Sequence, residues 1–373
     1  MISFFLILFL MMIFIPSAYA YNIDEYAKDS LEAIGADRLS DYLDDETKDY
    51  LEKLGCDDIE LEKLLNVSPK AVFKLVYGMM RDGLNAPLKG MLTATGAVLF
   101  VSVCGGFFPE DEKSKAVLNL ICGGVIVISV FSSASEGLTC VIAAIDSCVD
   151  FEKALIPVLA AVVTVSGNPT LALSFKGAAF AAAEFISTFS RDFALPLASA
   201  SGAMGIIGSM LPTLRLSAIS DIIRKTMTTV LSAAASLFAG FLAMKGVLAS
   251  SADGIAAKGV KLAANTFIPV VGGAISEAYS SVAGSLSLLK STVGIYAVAA
   301  IFLIGMPVVI NLALWVISMR IACSVSDLFD CRVCSEILKN ISFLFSMMNT
   351  ILILCMVVFI VTSGIVIVIR TGA

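Results

Sequence analysis

Residues that could carry acid–base, nucleophilic or metal chemistry are few in this sequence of 373 residues, which contains no histidine. That absence removes His-based general acid–base catalysis, Ser–His and Cys–His nucleophile pairs and imidazole metal ligands. Cys331 and Cys334 form the one C-x-x-C pair, and with no second pair they cannot complete a four-ligand zinc site. We interpret the nine cysteines as small apolar side chains, and expect no catalytic residue, no metal site and no cofactor.

Glu184 is an acidic residue inside an otherwise apolar stretch, 177–190. Ionisable residues within a membrane often mark the path of an ion or substrate, so Glu184 is a candidate intramembrane polar site. Pro157 and Pro169 interrupt a neighbouring apolar run, and broken helices can form substrate sites. Together these residues leave a self-sufficient secondary transporter, or permease, as an alternative function, although prolines are common in membrane helices for packing reasons alone.

The composition indicates an integral membrane protein. Hydrophobic residues make up 58% of the chain and charged residues 15%, and the mean hydropathy is +0.94. Soluble domains carry about 25% charged residues, so a soluble enzyme, a disordered chain and a disulfide-rich scaffold are all excluded. Residues 21–70 hold 15 acidic and six basic residues, which gives them a charge of −9 and leaves +3 for the rest. We therefore expect membrane lipid around the chain and no nucleic acid as a partner.

The first 85 residues divide into two segments that precede the apolar body. Residues 1–20 have the layout of a signal peptide, an apolar run followed by Ala18 and Ala20 at the predicted cleavage site, and an uncleaved N-terminal helix is the alternative. Residues 21–85 are predicted to be an acidic extracytoplasmic helical segment that ends in an amphipathic helix on the membrane surface. On either interpretation, residue 21 onward is expected to begin on the outer face of the membrane.

Residues 86–373 are predicted to be a polytopic transmembrane domain, so the fold class is an all-α membrane helical bundle. About 20 uncharged apolar residues cross a bilayer. The runs that meet this test are 90–109, 116–135, 154–175, 193–211, 226–244, 291–319 and 341–369. These give about seven spans, in a range of six to eight, since 177–190 either crosses the membrane or is a re-entrant helix. Whether 177–190 crosses therefore decides on which side of the membrane the C-terminus lies. The Ser-, Ala- and Gly-rich stretch 249–290 is expected to form interfacial or partly re-entrant helices.

Two parts of the chain closely resemble the stage III sporulation protein AE family. One is Phe267–Gly272, followed by Leu288–Gly294, and the other is Ala154–Leu159, which leads to 166–167. The signal peptide, the external acidic segment and the apolar body are also similar to that family. The positions that carry the motif or form a candidate docking surface are Phe267, Ile268, Pro269, Gly272, Ser280, Ser281, Lys290, Val293 and Gly294.

The resemblance implies a function in endospore formation. It predicts a non-enzymatic, multi-pass subunit of a channel or secretion-like complex between mother cell and forespore, which sporulation and late forespore (sigma-G) gene expression require. The implied location is the mother-cell membrane around the forespore, known as the outer forespore membrane, with the N-terminus extracytoplasmic. The implied partners are the other stage III A sporulation proteins, including an ATPase and ring-forming subunits, and the forespore protein Q.

The stretch 265–294 is where we expect fold and function to meet. Pro269 and Gly272 are predicted to end one helix and start another at the membrane surface. Ser280 and Ser281 then offer polar groups to a partner, and Lys290 can anchor the start of the next span at the level of the lipid headgroups. The stretch is either a docking surface for another subunit or a re-entrant elbow that stabilises the bundle.

Overall fold

A computed structural model describes most of the chain between its 31st and 368th residues. The described residues are 31–56, 59, 63–64, 67–107, 112–165, 169–211, 216, 218–233 and 272–368. The predicted signal peptide, with Ala18 and Ala20, lies outside these residues, as do Phe267, Ile268 and Pro269 of the motif.

Every regular element in these ranges is a helix, which confirms the prediction of an all-α fold. The elements are a 3₁₀ helix at Ala36–Tyr42, α1 at Asp45–Lys53, α2 at Pro69–Gly83, α3 at Asn85–Phe107, α4 at Glu112–Val165, α5 at Pro169–Thr188, a π helix at Phe189–Ala194, α6 at Leu195–Met210, α7 at 218–233, α8 at Gly272–Leu328 and α9 at Arg332–Val368.

Local sequence signals account for the short N-terminal helices. Asp44 caps α1 by accepting a hydrogen bond from the Thr47 amide at 3.1 Å, and Ser68 caps α2 ahead of Pro69 in the first turn. Beyond the end of α1, Gly55 adopts a φ of +73°, a left-handed conformation that glycine tolerates best. Burial, together with a hydrogen bond to Glu46, raises the pKa of Tyr50 in α1.

Five of the described helices or helix runs are long and apolar enough to cross a membrane. They are Asn85–Cys104, Leu120–Val165, Phe175–Met210, Ser291–Leu328 and Arg332–Ser363. Helices α4 and α8 contain 54 and 57 residues, and at 1.5 Å per residue these correspond to about 80 and 85 Å. A bilayer has a hydrocarbon core of about 30 Å, so both helices extend beyond it.

The structure differs from the predicted spans in two places. Run 116–135 and the first part of run 154–175, as far as 165, belong to one uninterrupted helix, α4, and are therefore not two crossings in opposite directions. Stretch 177–190 continues through the π helix into 193–210, so it is neither a separate crossing nor a re-entrant helix. Charged residues interrupt the apolar pattern at both places, but they do not end a helix. The prediction was wrong there because it treated each charged interruption as a loop. Run 226–244 is described only as far as 233.

Helices α8 and α9 form an antiparallel hairpin at the centre of the described bundle. Its turn contains Asp330 in a left-handed conformation, with a φ of 51°, and is closed by a hydrogen bond from the Ser326 hydroxyl to the Cys331 carbonyl. In an apolar 18-residue stretch of α8, 78% of the residues are buried, whereas in the corresponding stretch of α4 the buried share is 17%. The hairpin therefore forms the core, and α4 buries its side chains mainly within 141–163.

The other helices pack around this hairpin in alternating directions. Helix α4 runs parallel to α9, because Cys122 contacts Cys334 near their first residues and Glu152 contacts Ser363 further along both. Helix α5 is antiparallel to α4, with ion pairs from Asp146 to Arg191 and from Lys153 to Glu184. Helix α6 is antiparallel to α9, since Gly202 lies beside Leu344 and Gly205 beside Asn340.

Close contact between α3 and α8 depends on a glycine. A Cβ atom placed on Gly90 would lie 2.6 Å from the Cζ3 atom of Trp315, well inside van der Waals contact. The Trp315 ring is itself fixed, because it is buried and stacks on Phe345 with ring centroids 5.1 Å apart. Small residues at such positions are the means by which membrane helices approach one another closely.

We predict that Gly90→Ala lowers the free energy of unfolding by about 1–3 kcal/mol, as expected for overpacking against a rigid ring. Gly96→Ala on the same helix is the matched control, because nothing lies within 4 Å of a Cβ atom there. Alanine in place of glycine then has only its helix-favouring effect, a gain of up to about 1 kcal/mol. Unfolding of the purified proteins in detergent measures both changes, and equal stability of the two variants would contradict the described contact.

Candidate functional site

Among the aspartates, glutamates, lysines and arginines that the structure describes, Glu152 is the one whose side chain is buried, and it is 0% exposed. It lies on α4 within the candidate span Leu120–Val165. The residues Cys148, Glu152, Leu155 and Leu159 recur at helical spacing, and all four are 0% exposed. Glu152 is therefore part of the helix stripe that packs into the bundle.

The groups around Glu152 come from three elements. The Ser363 hydroxyl of α9 lies 3.3 Å from Oε2 of Glu152, while Oε1 has no hydrogen-bond partner among the described residues. One turn earlier on α4, Cys148 lies on the same buried face as Glu152, and Cys355 lies two turns before Ser363 on α9. The Sγ atom of Cys355 lies 3.0 Å from the hydroxyl of Ser190 in the π helix. We call these five residues the Glu152 cluster.

The π helix Phe189–Ala194 brings Ser190 into this cluster. Its wider turn is seen in the hydrogen bond from the Leu195 amide to the Ser190 carbonyl, five residues back. Ser190 points inward and is buried, whereas Arg191 is exposed and pairs with Asp146 at 3.1 Å. Single π turns inside α-helices occur frequently at functional sites, so this element marks the cluster for attention.

Glu184, the polar site proposed from the sequence, lies on the outside of the bundle. Its carboxylate pairs with Lys153 at 3.1 Å, and 65% of its side chain is exposed. Sequence reasoning missed Glu152 because it falls in a charged stretch that separates two predicted spans. The helical spacing of Cys148, Glu152 and Leu155 was the signal that would have identified it.

A second group of polar side chains connects α6, α7 and α9. The Arg224 guanidinium donates to Oδ1 of Asn340, whose amide nitrogen donates to the Ser209 hydroxyl at 3.0 Å. Arg224 also lies over the ring of Phe343, with 4.2 Å from its Cζ atom to the ring centroid. A Cβ atom on Gly205 would lie 2.5 Å from Asn340 Oδ1, so this position has no room for a side chain. The group ties three helices together.

The C-x-x-C residues do not pair with each other. Cys334 points at Cys122 on α4, with 3.1 Å between the two Sγ atoms, and both side chains are buried. No group of three potential metal ligands occurs among the described residues. The thiols of Cys122 and Cys334 pack between α4 and α9.

The predicted docking stretch lies at the start of α8. Gly272 is the first residue of α8 that the structure describes. Ser280, Ser281 and Lys290 lie further along the same helix, which continues unbroken to Leu328. Of the stretch 249–290, which was expected to form interfacial or partly re-entrant helices, residues 272–290 are continuous with the helix of the next span, and 249–271 lie outside the described residues. Val293 is fully buried inside the bundle, and Gly294 follows it in the helix.

Comparison with known proteins gives one family and one curated relative. The sequence profile of the family described as Stage III sporulation protein AE matches residues 64–372. Stage III sporulation protein AE of Bacillus subtilis (strain 168) is 26% identical over 198 residues, which make up 53% of this chain. The match covers 49% of that relative, about half its length. No solved structure matches.

We predict that Asn340→Ala destabilises the protein by about 1–3 kcal/mol, because the buried Ser209 and the half-buried Arg224 lose their shared partner. Asn349→Ala on the same helix is the control, since its side-chain oxygen is buried without a hydrogen-bond partner among the described residues. Thermal unfolding in detergent should rank Asn340→Ala well below Asn349→Ala. The opposite ranking would show that the hydrogen-bonded group does not stabilise the bundle.

Proposed function

The chain belongs to the stage III sporulation protein AE family, and on that premise we propose that it is a non-enzymatic subunit of a membrane complex between mother cell and forespore. Membership of this family supports a function in sporulation. The observation that carries the proposal is the extent of the match, because residues 64–372 contain all five candidate spans. The bundle is therefore what this chain shares with the family.

The proposed complex is a channel or secretion-like conduit on which late forespore (sigma-G) gene expression depends. Its other members would be the remaining stage III A proteins, including an ATPase and ring-forming subunits, and the forespore protein Q. The proposed location is the outer forespore membrane, with the acidic N-terminal segment on the extracytoplasmic side. Helices α4 and α8, which are longer than a bilayer is thick, support a subunit that reaches partners outside the membrane.

A structural, non-enzymatic function is supported by how the polar groups are used. Arg224, Asn340 and Ser209 bond to one another across three helices. The ion pairs of Asp146 with Arg191 and of Lys153 with Glu184 join α4 to the run of α5 and the π helix. Such pairings hold helices in register, and the sequence contains no histidine for acid–base or metal chemistry.

A self-sufficient secondary transporter is the second candidate, and the buried Glu152 favours it. The two candidates differ in what the purified protein does alone. A transporter moves a solute across liposomes without other proteins, whereas a subunit of a larger conduit does so only within its complex. Solute uptake into liposomes that contain this chain alone would favour the transporter.

Deletion of the gene in its sporulating host is expected to stop sporulation after engulfment, with loss of a reporter for late forespore transcription. A copy of the full-length gene at another locus should restore both, and a tagged copy should recover other stage III A proteins from sporulating cells. We expect the block in sporulation because a conduit that lacks one of its membrane subunits does not function. Normal spores from the deletion strain, or recovery of the tagged protein without any of those partners, would contradict the proposal.

A further inference from the structure

We propose that Glu152 is a proton-binding site enclosed in the helical bundle, with its carboxylic acid hydrogen-bonded to Ser363. The first ground is burial: Glu152 and Ser363 are both 0% exposed. An ionised carboxylate without an opposite charge carries a large free-energy penalty in such surroundings. A bound proton removes that charge without any change in the packing.

The second ground is the set of charged groups near Glu152. Lys153, the next residue, turns outward and pairs with Glu184 on α5. Arg191 in the π helix pairs with Asp146. The other side chains of the cluster are Cys148 on α4, Cys355 and Ser363 on α9, and Ser190 in the π helix, and all four are buried. None of these is a cation, so nothing described in the bundle neutralises the Glu152 carboxylate.

The third ground is the proton count at Ser363. A serine hydroxyl has one proton to donate. Ser363 Oγ lies 2.9 Å from the Phe359 carbonyl oxygen and 3.3 Å from Glu152 Oε2. When the hydroxyl donates along the shorter contact to Phe359, the contact with Glu152 is a hydrogen bond only if Glu152 supplies the proton. A protonated Glu152 then donates to Ser363, and Ser363 donates to the Phe359 carbonyl.

Glu152, Ser363 and the Phe359 carbonyl then form a short chain of hydrogen bonds that begins at a carboxylic acid inside a candidate span. Release of the proton would leave a buried carboxylate, which must then recruit water or a cation. Proton binding and release at Glu152 would therefore be coupled to hydration of the contact between α4 and α9. The inference does not rest on the proposed function, because it concerns the isolated protein whatever complex that protein joins.

Infrared spectroscopy of the purified protein in lipid nanodiscs tests the proposal directly. A protonated carboxylic acid has a carbonyl-stretch band that is separate from the bands of a carboxylate. At neutral pH we expect this band in the natural protein, its loss in Glu152→Gln and its retention in Glu184→Gln, which is the matched control on the exposed surface. Ser363→Ala should shift the band to the frequency of an acid that donates no hydrogen bond.

Two results would overturn the proposal. One is a natural protein without the acid band at neutral pH, which would show that Glu152 is ionised and holds a cation or water. The other is a band that survives in Glu152→Gln, or one that Ser363→Ala leaves unchanged. If Glu152→Gln does not accumulate as folded protein, Ser363→Ala still decides the assignment, because it keeps the acid and removes only its acceptor. Sporulation assays of the deletion strain are independent of both results.

Discussion

The packing of α9 against its neighbours is the interaction on which the rest of the described bundle depends. Helix α9 forms the hairpin with α8, and it contributes Asn340 to the polar group shared with α6 and α7 and Ser363 to the contact with Glu152 on α4. In a membrane the hydrophobic effect does not drive helices together, so close packing and hydrogen bonds between helices must do so. The polar residues of α9 therefore act together with its buried apolar side chains in fixing the positions of the helices around it.

The polar groups that join these helices are of two kinds, exposed ion pairs and buried hydrogen-bonding side chains. The ion pairs of Lys153 with Glu184 and of Asp146 with Arg191 lie at exposed positions, where their contribution to stability is modest. Glu152 and Asn340 lie inside the bundle, where loss of a hydrogen-bond partner lowers the stability more than it does at the surface. The exposed pairs set the register of α4 and α5, while the buried groups connect both ends of α9 to the bundle.

Composition and apolar pattern were sufficient to predict the helical membrane class and the approximate position of most apolar segments. They could not show that α4 is one helix, because Glu136, Asp146, Asp150 and Lys153 interrupt the apolar pattern without interrupting the backbone. The same limit hid Glu152, which lies among exposed charges in sequence but on the buried face in space. Cys334 was grouped with Cys331 by spacing, whereas the fold places it against Cys122, which is distant in sequence. These outcomes depend on long-range contacts, and a local window cannot contain them.

The parallel packing of α4 against α9 is the central claim, and mild oxidation of the protein in its membrane tests it most directly. With 3.1 Å between the Sγ atoms of Cys122 and Cys334, we expect a chemical oxidant to form a disulfide between them, with both thiol protons and two electrons passing to the oxidant. Peptide mapping without reductant should find the linked peptides in the natural protein and in Cys331→Ser, and should not find them in Cys334→Ser. A Cys331–Cys334 disulfide in place of that link, or Cys122 joined to another cysteine, would contradict the described arrangement.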